Sequence, residues 1–264
     1  MIDPRAIIDP SAEIGADVEI GPWSMIGPDV TIGDGCRIGP LAIIKGPTTL
    51  GKRNQVFQFA TVGEDTPALA YKGEPTTLIM GDDNIVREKV TIHRGMLQDR
   101  GATVIGSNNL FMADVHIGHD CVVGDHVIMA NNASLAGHVS VGDHANFGGF
   151  AGVLQFRTVG AFTHIAAYSY VRKDIPPYVT AEGNPACAVG LNVEGMRRRG
   201  VEKTVSAALD HAYKTAYRAG LTAKEACDAL EDEASRHREV RMFVDAIRSS
   251  EHGIIRPRRG SQAT

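Results

Sequence analysis

The sequence predicts an all-β parallel β-helix of hexapeptide repeats over residues 1–185 and a C-terminal α-helical domain over residues 186–264. Two observations lead to this fold class. Apolar residues recur at every sixth position through most of the chain, and helical spacing replaces that period after Pro185. The composition agrees with both, because 29 glycines and only 6% aromatic residues leave small and branched side chains to build the core.

The six-residue period runs from Ile8 to Val62, resumes in the same register from Met80 to Ile92, and continues, shifted by one residue, from Ile105 to Val171. All twenty-five positions of the series are apolar, whereas a composition of 43% hydrophobic residues would give about eleven. Neither a strand nor a helix repeats every six residues, so each hexad predicts a short strand that ends in a corner. Three hexads close one triangular coil, which stacks residues eighteen apart at the ~4.8 Å spacing of paired strands.

Two stretches interrupt the period, at about residues 64–77 and 94–103, and we expect them to project as loops that carry substrate contacts. In the C-terminal domain, apolar residues between Val205 and Tyr217 follow helical spacing and stop before Gly220. Thr222 and Glu225 predict a capping box for the next helix. A last helix is indicated by the spacing of Val240, Phe243, Val244 and Ile247.

Charge and targeting signals exclude several classes of protein. A net charge of -4 and a pI near 6.2 argue against a nucleic-acid partner. The chain has no apolar run long enough for an integral membrane segment, and its first residues do not resemble a signal peptide, so we expect a cytoplasmic location. The four cysteines form no CxxC pair, and Cys36 and Cys121 occupy small inward positions of the repeat, which favours a structural role.

The eighteen-residue stacking predicts which polar side chains lie side by side. His119, Gly137 and Gln155 form one column, and Asp120 and His138 form the adjoining one. This combination suits acyl transfer, since a neutral imidazole can take a proton from a hydroxyl while a backbone N–H binds the oxyanion. Gly137 has no Cβ, so a carbonyl group can approach its amide closely.

Outward-facing histidines on a β-helix are commonly just solvated, but four of them converge here: His93, His116, His119 and His138. Histidines also bind zinc, yet the H-x4-H spacing of metal-binding β-helical enzymes is absent, so we expect no metal site. A second candidate site combines polar residues with a basic run at the junction between coil and helices. It contains Asn192, Glu194, Arg197, Arg198 and Arg199. It is either a solvated helix face or a phosphate-binding site, because guanidinium groups match phosphate oxygens.

Several motifs resemble those of the UDP-N-acetylglucosamine 3-O-acyltransferases of lipid A biosynthesis. They are Thr91-Ile92-His93-Arg94-Gly95, His116-Ile117-Gly118-His119-Asp120-Cys121, Ala130-Asn131-Asn132-Ala133, Leu135-Ala136-Gly137-His138-Val139 and residues 192–200. The resemblance covers nearly the whole chain. It implies a left-handed β-helix, a homotrimer with sites between subunits, and transfer of a 3-hydroxyacyl chain from acyl carrier protein to the sugar 3-hydroxyl, without metal or other cofactor.

Residue by residue, the resemblance implies that His119 is the general base, Asp120 its supporting carboxylate and Gly137 the oxyanion donor. It further implies a set of substrate-binding residues comprising His93, His116, His138, Gln155, Asn192, Glu194, Arg198 and Arg199. Ala167 stands where the family varies the residue that limits acyl-chain length, and it implies a mid-to-long chain.

Three residues depart from the family pattern. Ala68 and Ala70 replace an acid and a base in Asp-Leu-Lys-Tyr, and Leu154 replaces the histidine of Val-His-Gln-Phe. These losses leave two alternatives open: a related enzyme that acylates another UDP-sugar, at a hydroxyl or at an amine, and a β-helical binding protein with little turnover.

Overall fold

The computed structural model describes residues 1–258, so the end of the predicted helical domain, residues 259–264, lies outside the described residues. The chain winds into a left-handed parallel β-helix with three faces, each of them one sheet that is parallel throughout except at the C-terminal edge of the third face. Successive strands pass from the first face to the second and then to the third, so the predicted fold class is confirmed.

The strands are short, and as far as Val171 successive strands lie on the first, second and third faces in turn. The first face consists of β1 (Ile7–Ile8), β4 (Met25–Ile26), β7 (Ile43–Ile44), β10 (Thr61–Glu64), β13 (Thr91–His93), β16 (His116–Ile117), β19 (Ser134–Leu135), β22 (Gly152–Val153) and β25 (Tyr170–Val171). The second face consists of β2 (Glu13–Ile14), β5 (Val30–Ile32), β8 (Thr48–Leu50), β11 (Thr77–Met80), β14 (Ala102–Ile105), β17 (Val122–Val123), β20 (Ser140–Val141) and β23 (Thr158–Val159). The third face consists of β3 (Glu19–Ile20), β6 (Arg37–Ile38), β9 (Gln55–Val56), β12 (Ile85–Val86), β15 (Leu110–Phe111), β18 (Ile128–Met129), β21 (Asn146–Phe147), β24 (His164–Ile165), β26 (Val179–Glu182) and β27 (Cys187–Leu191).

The pairing register confirms the eighteen-residue stacking, because His116 pairs with Ser134 and Ile117 with Leu135. The inward residues of the hexads form the core, and Ile117 and Leu135 are fully buried. Burial of such a side chain contributes about 1.5–3 kcal/mol relative to leaving it exposed. We call the turns between the first and second faces the first corner, those between the second and third faces the second corner, and those between the third and first faces the third corner.

Both interruptions of the repeat leave the coil at the first corner. The chain departs after β10 and returns at β11, and it departs after β13 and returns at β14, so both loops connect the first face to the second. The register records the insertions, since Thr61 pairs with Thr91 and Thr91 with His116, more than eighteen residues apart. The two loops therefore project beside the corner that carries His119.

The coil ends in an antiparallel pair, in which β27 lies against β26, and the first helix begins only at Val193. The helices are α1 (Val193–Arg198), α2 (Lys203–Arg218), α3 (Ala223–Ala229), α4 (Glu231–Arg236) and α5 (Arg238–Ser249). Helix α2, the capping box of Thr222 with Glu225, and helix α5 are as predicted.

Helices α1 and α4 have six residues each and too few apolar positions to show a helical period in the sequence. After α5, the chain returns to the coil, where Ile254 bridges to Asp174. None of the helices within residues 1–258 combines the length and apolar composition that are needed to cross a bilayer.

Candidate active site

His119 and Asp120 form a hydrogen-bonded pair at the first corner. The imidazole Nδ1 lies 2.8 Å from Asp120 Oδ2. Because a carboxylate accepts, Nδ1 carries the proton and Nε2 presents its lone pair. Asp120 Oδ2 also accepts the Met96 backbone N–H at 2.9 Å, and the Asp120 side chain is fully buried. The pair is thereby held in one orientation and one tautomer.

Gly137 lies directly beneath the His119 ring. A Cβ added at this position would come within 2.6 Å of His119 Nε2 and Cε1, so only glycine fits under the ring. The neighbouring His138 N–H donates to the His119 carbonyl, whereas the Gly137 N–H has no acceptor within residues 1–258. The expected column of a histidine over a glycine amide is therefore present.

His138 continues this arrangement in the next coil. Its ring packs edge-on against His119, with centroids 4.8 Å apart, and stacks on Phe156 at 4.3 Å. Its Nδ1 lies 2.7 Å from a carboxylate oxygen of Asp99, in the loop between β13 and β14. Gln155 precedes Phe156 at the same corner and is exposed.

His93 and His116 lie beside the corner on the first face, 5.2 Å apart between ring centroids. His93 Nδ1 donates to the Asp65 carbonyl at 2.6 Å, and His116 Nδ1 lies 2.8 Å from Thr91 Oγ1. Burial lowers the pKa of His93, and burial together with the nearby histidines lowers the pKa of His116 to about 4. Both rings are therefore neutral at physiological pH. Because the Nδ1 of His93 donates, its Nε2 can accept a hydrogen bond, whereas the Nε2 of His116 accepts or donates according to whether Nδ1 donates to or accepts from Thr91.

Buried Arg94 anchors the loop between β10 and β11. Its guanidinium donates to the carbonyls of Gly46 and Gly63, to the Asp65 carboxylate and to the hydroxyl of Tyr71, at 3.0 Å in the last case. Asp65 also pairs with Lys45 at 2.8 Å, and these charges lower the pKa of its carboxyl group. The base of the loop is rigid, and the Asp65 carbonyl that orients His93 is fixed with it.

The second predicted cluster lies elsewhere, in a cavity of about 720 Å³ at the second corner and the adjoining third face. Helix α1 forms one wall with Glu194, Arg198 and Arg199. The other wall consists of outward side chains of the coil, namely Asn108, Leu110, His126, Ile128, His144, Asn146 and His164. Basic and amide groups thus face one another across a space large enough for a nucleotide.

The charges of α1 are largely paired with one another. Glu194 accepts from Arg197 at 2.8 and 2.9 Å and from Arg198 at 2.6 Å, which lowers its pKa to about 2. The Arg199 guanidinium instead lies 5.8 Å above the Phe162 ring. Asn192 serves the fold, since it caps the helix at Gly195. Arg199 also donates to the Gly195 carbonyl at 3.5 Å, and within residues 1–258 it is the cation of this wall that pairs with no carboxylate.

The structure thus divides the predicted residues into two groups. His93, His116, His119, Asp120, Gly137, His138 and Gln155 share the first corner and its edge. Asn192, Glu194, Arg198 and Arg199 lie at the second corner and the adjoining third face. Within one chain, the two groups therefore occupy different corners of the triangular cross-section.

The three departures from the family pattern all lie at or beside the first corner. Ala68 is half-buried and Ala70 exposed at the tip of the loop between β10 and β11, where Leu69 is 97% exposed. Leu154 is half-buried beside Gln155. At these three positions, therefore, the surface beside the first corner has no charged side chain. Ala167 is exposed at the third corner.

Sequence reasoning missed several cavity-lining residues that its own rule could have found. His126 and His144 are eighteen residues apart and stack with centroids 4.7 Å apart. His164 follows Asn146 by eighteen and bonds to it at 3.0 Å. Asp99 was missed for another reason, because it lies in a loop where no period applies.

Comparisons with known proteins agree with this geometry. Residues 174–255 match the family described as "Udp N-acetylglucosamine O-acyltransferase; Domain 2", and residues 11–46 and 102–137 match the bacterial transferase hexapeptide repeat. The acyl-[acyl-carrier-protein]–UDP-N-acetylglucosamine O-acyltransferase of Azotobacter vinelandii is 56% identical over 97% of this chain and 99% of its own. That of Stutzerimonas stutzeri is 52% identical over the same shares.

Solved structures of such enzymes share the fold over nearly the full length. The UDP-N-acetylglucosamine O-acyltransferase of Moraxella catarrhalis has a TM-score of 0.95 at 44% identity, covering 97% of this chain and 99% of its own. The Arabidopsis UDP-N-acetylglucosamine acyltransferase has a TM-score of 0.85 at 34% identity, covering 97% and 100%. The chain therefore belongs to the UDP-N-acetylglucosamine O-acyltransferase family.

Proposed function

We propose that this chain transfers a 3-hydroxyacyl group from acyl carrier protein to the 3-hydroxyl of UDP-N-acetylglucosamine, the first step of lipid A biosynthesis. The observation that carries the proposal is the His119–Asp120 pair over Gly137. Here the oriented imidazole of His119 lies beside the backbone N–H of Gly137, which donates to no group within residues 1–258. A general base and an oxyanion donor are what the attack of a hydroxyl on a thioester requires.

In the proposed reaction, His119 Nε2 takes the proton of the sugar hydroxyl as its oxygen attacks the thioester carbon. The carbonyl oxygen becomes an oxyanion, to which the Gly137 N–H donates. The intermediate then collapses by breaking the carbon–sulfur bond, and the imidazolium returns the proton to the sulfur of the carrier's phosphopantetheine arm. Asp120 stabilises the transient imidazolium through Nδ1.

A homotrimer accounts for the separation of the two residue groups. When the first corner of one subunit packs against the third face of the next, His119 of one chain comes beside Arg199 of the other. Such corner-to-face contacts are heterologous, and they close into a ring when the rotation is threefold. We therefore propose three sites, each formed by two subunits, in which the α1 cavity takes the nucleotide.

The residues at the loop tip and at the neighbouring corner position bear on which acceptor sugar is bound. Ala68, Ala70 and Leu154 offer no polar group to a sugar, so His93, His116 and His138 must supply most of its hydrogen bonds. The same observation favours the second candidate function, which is acylation of a related UDP-sugar, at a hydroxyl or at an amino group. Small Ala167 at the third corner supports a mid-to-long hydroxyacyl chain.

We also propose that no metal takes part. His119, Asp120 and His138 are close enough to hold an ion. However, Asp120 Oδ2 already accepts from His119 and Met96, and His138 Nδ1 pairs with Asp99. A chelator such as EDTA should therefore leave the turnover number unchanged. A loss that added zinc restores would contradict this part of the proposal.

The test is to incubate the purified protein with UDP-N-acetylglucosamine and a mixture of 3-hydroxyacyl carrier proteins, and to identify products by mass spectrometry. We expect one acylated sugar, which also gives the chain length. His119→Ala should reduce the rate by at least about 10²-fold without loss of the trimer. The matched control is His211→Ala, since His211 is exposed in α2 and, within residues 1–258, pairs with Glu233 alone.

A panel of UDP-sugars separates the two candidate functions. A strong preference for an amino sugar, with the nitrogen acylated, would replace the first candidate by the second. Binding of nucleotide without any product from a folded trimer would favour a non-catalytic binding protein, and unchanged activity of His119→Ala would refute the role given to His119.

A further inference from the structure

The loop between β13 and β14 reaches both imidazoles of the first corner. Its Met96 N–H donates to Asp120, which in turn holds His119. Three residues further on, Asp99 Oδ2 lies 2.7 Å from His138 Nδ1. Resting on the proposed function, we infer that Asp99 is a positioning residue that fixes the orientation and the tautomer of His138.

The backbone of His138 does not need this help. Its φ of 64° is the left-handed corner conformation, and its N–H donates to the His119 carbonyl at 2.9 Å. The ring plane is also defined, because Phe156 stacks on one side with an interplanar angle of 9° and His119 packs edge-on at 87°. What these contacts leave undetermined is a half-turn of the ring about its bond to Cβ.

Such a half-turn matters for chemistry. It exchanges Nδ1 with Cδ2 and Nε2 with Cε1, so the side of the ring that faces substrate changes from a nitrogen to a carbon. A packing contact with Phe156 or His119 barely distinguishes the two states, whereas a carboxylate beside Nδ1 does. Asp99 therefore selects the state in which Nδ1–H donates and the Nε2 lone pair is available to a substrate hydroxyl or amide.

The loop is built to hold Asp99 in place, although the carboxylate is 41% exposed. The N–H groups of Asp99 and Gly101 both donate to the Met96 carbonyl, at 3.2 and 3.0 Å, which closes a tight turn. Gly101 occupies the left-handed region at φ 69°, as a glycine can without strain. Arg94 and Met96, at the base of the loop, are 5% and 7% exposed. Asp99 is thus presented from a fixed turn.

The arrangement gives the first corner two histidine–carboxylate pairs with different origins. Asp120 follows His119 in the coil itself, whereas Asp99 comes from the projecting loop and lies 39 residues before His138 in sequence. The loop carries Asp99 and also donates the Met96 N–H to Asp120. A change in the loop therefore alters both the His119 base and the His138 imidazole that faces substrate.

The experiment compares Asp99→Ala and Asp99→Asn with the unmodified trimer. We expect Asp99→Ala to lower kcat/KM about 10-fold, the usual effect of losing a hydrogen bond to a charged group, and Asp99→Asn to lower it less because its amide oxygen still accepts. In a His138→Gln background, adding Asp99→Ala should lower kcat/KM by less than about a further 2-fold, since the two residues act as one unit. Asp17→Asn is the control, since Asp17 is an exposed aspartate at the second corner of the first coil, several coils away from His138.

A second readout does not depend on turnover. In 15N-histidine NMR spectra at a pH where imidazoles are neutral, His138 should show one fixed Nδ1–H tautomer, assigned by its absence in His138→Gln. Asp99→Ala should replace it by an averaged signal. Unchanged His138 signals, or an equal loss of activity with and without His138, would overturn the inference. Absence of acyl transfer in every variant, with the NMR change intact, would count against the proposed function alone.

Discussion

The two halves of the proposed site differ in how far the folded chain has prepared them. At the first corner, His119, Asp120 and His138 are oriented by internal hydrogen bonds, and the Asp120 side chain is fully buried. At the third face, the side chains of Glu194 and Arg198 are more than half exposed and satisfy each other. Groups that transfer protons are preorganised, whereas groups that bind phosphate must exchange partners when a ligand arrives. A substitution at the corner should therefore affect kcat, and one at the third face should affect KM.

The largest effect is expected from Gly137→Ala. The new Cβ would lie within 2.6 Å of the His119 ring, so either the imidazole is displaced or the carbonyl can no longer reach the amide. We expect kcat to fall by about 10²-fold or more, measured on a variant that still sediments as the trimer. Gly190→Ala is the matched control, because a Cβ there meets nothing within 4 Å. A Gly137→Ala enzyme with normal kcat would remove the oxyanion role.

The next effect tests the third face. Arg199→Ala should raise KM for the UDP-sugar about 10-fold with little change in kcat, since it removes a charge-assisted contact to phosphate. Arg197→Ala provides the comparison, because Arg197 belongs to the same basic run but pairs with Glu194 and lies outside the cavity wall. Equal changes in KM for both variants would mean that only the overall charge of α1 matters. A fall in kcat alone would place Arg199 with the corner residues.

The smallest expected effect is on the stability of the fold, and it comes from His116, beside the first corner. His116 has its pKa lowered to about 4 in the folded chain, so below pH 6.5 the unfolded chain binds more protons than the folded one. This contribution makes the folded state less stable as pH falls through 6.5 toward 4. We expect this residue to lower the free energy of unfolding by about 1–2 kcal/mol at pH 5. In urea unfolding between pH 7 and pH 5, His116→Gln should lose less stability than the unmodified chain, and an identical slope would refute the assignment.

Periodicity in the sequence predicted most of the coil because every hexad repeats one packing problem, in which a large apolar residue turns inward beside a corner. The same arithmetic placed His119 over Gly137 and His138 beside Asp120. It could not place Asp99 or Asp65, because loops follow no period and their contacts depend on where the chain returns.

The period also could not predict that Arg199 lies apart from His119. The strand pair and the helix that carry Arg199 follow the last hexad, so no count of eighteen applies to them. Asn192 also shows the limit of reading function from residue type, since its amide caps a helix and bonds to the Phe162 carbonyl.

The antiparallel turn at the end of the coil has a consequence for solubility. A parallel β-helix ends in open backbone edges on which another copy could continue the stack, as in a growing fibril. Here β27 reverses direction against β26, and the segment at Ile254 pairs with Asp174 on the exposed end. The stack of coils is thus stopped at its C-terminal end, where a second copy would otherwise continue it.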